Sequence, residues 1–209
     1  MPPRPLAKKK RTVILELDRQ GTVSLLWNKR RVENLKPDDM LKSVDSFTPQ
    51  PEVRRAESLT LEQTITELRG AGVQLIVLDL PGTHSPAINK AIGIADITQI
   101  PTRPRDVDLQ PSIETADAAR RASKPFAYIF TFVPATGQQT AQMRDTLEDA
   151  NLTIVPGGIG DRPKEFADAI ENGQTVQERN PNGKSAGEIR AVWKWLEKQL
   201  GGLHGRKVD

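Results

Sequence analysis

Apolar positions along this chain switch repeatedly between two spacings, and the switches outline its elements. Thr12-Val13-Ile14-Leu15-Glu16-Leu17 is a β-branched, apolar run closed by Asp18-Arg19-Gln20-Gly21, which predicts a strand and a turn. From Asn28 to Glu57 the chain is polar and spotted with proline, so the expectation is irregular backbone with room for one short helix. Thr60 then opens a helix. Its hydroxyl can cap while Gln63 reaches back, Leu61, Ile65 and Leu68 share a face, and Gly70 and Gly72 stop it. Gln74 to Asp79 is a near-continuous apolar run, the signature of a parallel strand buried on both faces. Strands are expected at Ile97–Ile100, Phe126–Phe132 and Leu152–Val155. Helices are expected at Ile113–Ala122, around Met143 and Leu147, and around Phe166 to Gly173. In the last helix Ser185 and Glu188 form a capping box, and Ile189, Val192, Trp193, Leu196 and Leu200 form a stripe. Alternation of this kind predicts an α/β fold, a mostly parallel sheet flanked by helices.

Composition narrows the picture. At 209 residues the chain suits one α/β domain, placed at 12–200 between a loose basic N-terminus (1–11) and a basic tail (201–209). Cysteine is absent, which removes disulfides, thiolate metal sites and cysteine nucleophiles together. No apolar run approaches the ~18 residues that a membrane span requires, and the basic start has no apolar core of a secretory signal. Cytoplasm is the expected compartment. Two histidines, His84 and His204, are too few and too distant to suggest a metal site. His84, just past Asp79, is more simply an exposed loop residue than a phosphate contact. A net charge of +3 allows nucleic-acid contact only if the basic residues cluster.

Chemistry is expected where strands end, because ligands of open parallel sheets bind outside the carboxyl ends. Asp18 and Asp79 stand there. Asp79, after four apolar residues and before Leu80-Pro81-Gly82, has the form of an aspartate that orients the waters of a nucleotide-bound Mg²⁺. A strand-ending aspartate is otherwise a turn or cap residue.

Four segments in order resemble the ParA/MinD-type partition ATPases. Leu15 to Thr22 is similar to the family strand ending Asp-x-Asp-Pro-Gln-Gly. Val77 to Gly82 is similar to its Asp-x-Pro segment, Gln99 to Leu109 to its Pro-x-x-Pro stretch, and Ile159–Arg162 through Gly173–Val176 and Pro181–Glu188 to its C-terminal part. The resemblance covers roughly residues 8–200 and implies a P-loop-NTPase-like fold. It also implies ATP and Mg²⁺ as cofactors, with Asp18 as the catalytic residue that positions water and Asp79 as the residue holding Mg²⁺ through water. Implied partners are non-specific DNA, a ParB-like protein and a second copy in full-length relatives, with nucleoid association if DNA binding is retained.

Departures qualify those expectations. The family's first strand and its glycine-rich lysine loop, which cradles the phosphates, have no counterpart here; the resemblance places that strand between the Asp79 strand and the one near Ile97. Gly183-Lys184-Ser185 is no substitute, since Glu178 stands where the loop needs glycine, and Ser185 reads as an N-cap. Glu16 replaces the family's first aspartate, Arg19 its proline, and Thr131-Phe132 the asparagine near adenine. The chain is therefore expected not to hydrolyse ATP alone. The alternative is a P-loop-less DNA- or partner-binding module without catalysis.

Arg190, Lys194 and Lys198 recur every four residues and form one basic stripe beside the apolar face of the last helix, the candidate DNA contact. Lys184, Arg206 and Lys207 extend it. A solvated helix flank is the plain alternative. Trp193 falls in the apolar stripe and Trp195 beyond its rim, so packing explains them better than base stacking.

Overall fold

A computed structural model describes residues 11–33, 51–82 and 85–203. The N-terminal ten residues, most of the polar 28–57 stretch, His84, Arg206 and Lys207 therefore lie outside the described residues. The chain divides into two compact units, one of Met1–Ala91 with Phe166–Arg179 and one of Ile92–Glu165 with Asn180–Asp209.

The first unit is built on three parallel strands in the order β2-β1-β3: β1 Thr12–Glu16, β2 Glu52–Arg55 and β3 Leu75–Asp79. Parallel pairing forces a crossover after each strand, and helices supply it: α1 Thr22–Glu33 after β1, α2 Leu61–Gly70 between β2 and β3. The polar 28–57 stretch thus contains the end of α1 and all of β2. The expectation of irregular backbone fails at its two ends, because β2 carries a single apolar residue, Val53, and gave no alternation to read. Val13 and Leu15 of β1 are buried, as are Leu61, Ile65 and Leu68, the predicted face of α2. Thr60 makes no side-chain cap, and Gln63 donates instead to Glu67 at 2.8 Å, one turn along the helix.

β3 is less enclosed than its composition suggests. None of its five residues is buried, and Val77 is 41% exposed. Among the described residues its second edge carries no strand. The unit is completed by most of α6 (Pro163–Glu171) and by α7 Val176–Arg179, a single turn that the sequence pattern did not suggest. Arg30 of α1 grips Glu178 of α7 with two bonds, 2.7 and 2.5 Å, and Thr175 donates to the same carboxylate from its N–H and hydroxyl. Gly173, at φ +59°, lets the backbone of Arg30 approach so closely that a Cβ would clash with it.

The second unit holds β4 Thr98–Thr102 and β5 Phe126–Phe130, parallel and in register from Thr98 opposite Phe126. β5 alternates between two packed faces. Tyr128 and Phe130 sit with Ile100, Ala116 of α4 (Asp106–Arg121), and Met143 and Leu147 of α5 (Gln138–Asp149). Ala127 and Ile129 face Val155 and Val192 of α8 (Lys184–Leu203). The strand expected at Leu152–Val155 contracts to one bridge, Tyr128 with Ile154, although Val155, Ile159 and Val133 continue the backbone bonding along that edge. The remaining helix, α3 Pro86–Ile94, buries Ile88, Ala91 and Ile92.

Ser185 is not an N-cap. α8 begins at Lys184, and Ser185 is fully buried, donating to Glu165 at 2.6 Å and receiving a bond from Arg162 at 3.3 Å. Glu188 does not reach back either. It takes two bonds from Arg162, 2.6 and 2.5 Å, and one from the Gly160 N–H at 3.0 Å. The pair that reads as a capping box is a clasp fastening α8 to the 160–165 segment.

That clasp and the Glu178 pair predict a pH response. The Arg162 guanidinium holds the Glu188 carboxyl below its ordinary value of 4.5. Glu178 is also held low, its burial outweighed by Arg30 and Thr175. A depressed carboxyl stabilises the fold above its unfolded value and loses that contribution as pH falls through the folded one. The thermal midpoint should hold from pH 7 to about 5 and fall below about 4.5, where these groups take up protons. Glu188→Gln should cost about 1–3 kcal/mol at pH 7 and flatten the acid limb, checked by circular dichroism melts.

Candidate functional site

Register brings the ends of the three strands of the first unit together: Glu16 stands opposite Arg55 on one side and Asp79 on the other. Beyond Glu16 the chain turns at once. Asp18 accepts the Gln20 N–H at 2.9 Å through its side chain and the Gly21 N–H at 3.2 Å through its carbonyl, which makes a tight Asx turn. Gly21 follows at φ +69°, buried, with the Arg55 guanidinium lying against its Cα. Any side chain there would be strained by φ and would require the exposed Arg55 side chain to move aside.

Glu16 is 2% exposed and its carboxylate is fully engaged. One oxygen takes the N–H groups of Val23 and Ser24 at 2.8 and 3.2 Å, and the other takes the Ser24 hydroxyl. These are the free donors of the first turn of α1, so Glu16 is the helix's capping anion, supplied from the strand that precedes it. A shorter aspartate at this point would have less reach. Glu16 is therefore not open to a ligand.

Asp79 is the carboxylate left open. Its carbonyl takes the Leu17 N–H at 2.8 Å, but no hydrogen bond to its side chain is found among the described residues. Burial first, then the charges of Glu16 and Asp18, push its carboxyl above the ordinary value. Three acids crowd one strand end, and the least compensated of them favours a proton or a nearby cation. Among the described residues no group of three His, Cys, Asp or Glu is placed to hold a metal ion. Arg55 is the residue at this strand end that sequence reasoning missed. Its only signal was the Arg-Arg pair at the end of a strand too polar to recognise.

At the matching end of the second unit's own sheet, Thr131 bonds back to the Thr102 carbonyl through its N–H at 2.9 Å and its hydroxyl at 3.4 Å. Phe132 takes φ +52° and stays 51% exposed, with the Arg103 guanidinium 4.4 Å from its ring centroid. The stripe residues Arg190, Lys194 and Lys198 are all exposed on α8, and Arg190 donates to the Pro181 carbonyl at 2.7 Å. Trp193 is half-buried with its indole N–H enclosed and unpaired, while Trp195 packs on the Val155–Val192 cluster rather than standing clear of it.

No protein-family model matches the chain, and no curated protein matches it. Solved structures do. The MinC:MinD cell division complex of Aquifex aeolicus aligns at 12% identity over 96% of this chain and 85% of that one, with a TM-score of 0.68. MinD of Pyrococcus horikoshii complexed with Mg-ADP aligns at 14% identity over 93% and 86%, with a TM-score of 0.66. A Borrelia burgdorferi plasmid partition protein bound to AMPPNP aligns at 16% identity over 92% and 89%, with a TM-score of 0.64. The chain has the MinD/ParA fold. The resemblance read from four segments is thereby supported at the level of architecture, an α/β arrangement of short parallel sheets flanked by helices. The MinD/ParA proteins it resembles include nucleotide-bound forms, with Mg-ADP and with AMPPNP. No helix among the described residues is long and apolar enough to cross a membrane.

Two substitutions probe the strand end. Asp79 has a raised carboxyl, so its ionised form opposes folding and its protonated form does not. Asp79→Asn should therefore raise the thermal midpoint at pH 7 and leave it nearly unchanged at pH 4, a stabilisation of the kind found at functional sites. Gly21→Ala should cost about 1–3 kcal/mol in urea unfolding, because φ +69° and the Arg55 guanidinium both oppose a Cβ.

Proposed function

We propose that this chain is a MinD/ParA-like partition protein, serving plasmid or chromosome segregation through sequence-independent DNA binding, and that by itself it does not hydrolyse ATP. One observation carries the reading. Asp79 ends β3 opposite Glu16, Asp18 lies two residues beyond Glu16, and the charges of both acids raise the Asp79 carboxyl with no compensating partner among the described residues. A hydrated Mg²⁺ suits that end, with the carboxylates of Asp79 and Asp18 as outer partners. A triphosphate does not fit the described residues, whose charges there are carboxylates apart from Arg55, since two acids repel what lysine and loop amides would attract. No chemical step is assigned to the nucleotide on these residues.

The second reading, a nucleotide-independent DNA- or partner-binding module, is favoured by Glu16, whose carboxylate is spent on α1 instead of on a ligand. Calorimetry separates the two when it is done twice, on this chain and on one carrying an upstream glycine-rich lysine loop. The proposal expects little or no Mg·ATP binding by the first and slow hydrolysis by the second, with Asp18→Ala lowering turnover more than binding. Micromolar ATP affinity in the unaltered chain would overturn it.

DNA contact is assigned to Arg190, Lys194 and Lys198. Three phosphate contacts at about −0.9 each give a log–log salt slope of about −2.7. So few contacts bind usefully only when multiplied by a second copy, and a single chain should hold duplex DNA measurably only in dilute buffer. Changing all three to glutamate should abolish that binding in anisotropy titrations and leave the melting curve intact. A ParB-like protein and a second copy of the chain are the partners this reading implies.

A further inference from the structure

A cleft of about 280 Å³ opens in the second unit at the amino ends of β4 and β5, the opposite end of that sheet from the one where ligands of parallel sheets bind. Its size decides between occupants. It lies just under the roughly 300 Å³ at which small-molecule clefts begin, so it suits a few side chains and not a whole cofactor. Its walls are of two kinds. Arg120 and Lys124 supply positive charge, and among the described residues no carboxylate lines the cleft. Ile97, Phe126, Leu152 and Trp195 supply apolar surface.

The cation at the mouth is held in place. Arg120 bonds Asp117 of its own helix at 2.9 Å and lies 5.5 Å from the Phe126 ring centroid, with its side chain half exposed. A nucleic-acid backbone would use the two cations and leave four apolar residues unmatched. An extended segment with acidic and apolar residues in alternation would use both walls. We propose that this cleft docks a short acidic, apolar segment of a partner protein, the carboxylates meeting Arg120 and Lys124 and an apolar side chain entering between Leu152 and Trp195.

The test uses the full chain and a labelled ten-residue peptide of alternating Asp and Leu, read by anisotropy. A peptide with Asn for Asp, a 20-base-pair duplex and inorganic phosphate serve as comparators. The acidic peptide should bind at least about tenfold tighter than the neutral one, and neither duplex nor phosphate should displace it. Lys124→Glu should weaken it about tenfold or more, and so should Gln199→Glu, a change at a half-buried position on the helix wall of the cleft, outside the packed core clusters. Charge reversal of Arg190, Lys194 and Lys198 should leave peptide affinity within about twofold, which separates this site from the DNA stripe. Equal binding of the neutral peptide would overturn the proposal. So would unchanged affinity in both cleft variants with native circular dichroism, or displacement by duplex DNA, which would make the cleft part of a nucleic-acid face.

Discussion

A single buried carboxylate sets the geometry of the strand end. Glu16 leaves β1 pointing into the first turn of α1, and by taking the Val23 and Ser24 N–H groups it fixes the angle at which the chain leaves the sheet. Four donors at a helix start need partners, and a charged acceptor from the preceding strand meets two of them in a low-dielectric setting. The same charge is then felt by Asp79 across the ladder. Capping α1 and destabilising the ionised Asp79 are two effects of one side chain. A strand end arranged this way stores electrostatic stress in the ionised Asp79.

Arg55 stands at the same strand end without answering that charge. It comes from β2, the opposite neighbour of β1, and lies on Gly21 rather than against a carboxylate, with no ion pair to the acids among the described residues. Glycine at position 21 is favoured by its φ of +69°, and the Arg55 side chain occupies the space a Cβ would take.

The apolar patterns made most of this legible. β1, β3, α2, β5 and α8 follow from spacing alone, and so does the placement of Asp18 and Asp79 at strand ends, although of the expected α8 stripe only Val192 is buried. What escaped was settled by tertiary contact. β2 is a four-residue edge strand with one apolar side chain, and it exists because β1 offers it a backbone ladder. α7 is one turn held by Arg30 from 148 positions away. Ser185 and Glu188 have the spacing of a capping box, but Arg162 outbids the helix terminus for both, since a guanidinium makes stronger bonds than a peptide N–H. Local grammar cannot see a distant arginine.

α8 concentrates the remaining consequences. At roughly 100° per residue its surface divides into three sectors. Val192, Leu196, Ile189 and Trp193 form the sector turned toward packing, and Val192 is the most buried of these. Arg190, Lys194 and Lys198 lie on the far side in solvent. Trp195 and Gln199, one turn apart, form a third sector between them, beside Glu188, and border the cleft. The clasp from Arg162 to Glu188 therefore fixes more than one helix end, because it sets the rotation of α8 about its axis. Rotating the helix by one residue would bury a lysine and expose Val192, so the clasp and the apolar stripe specify the same angle. The basic stripe and the cleft wall inherit their positions from that agreement.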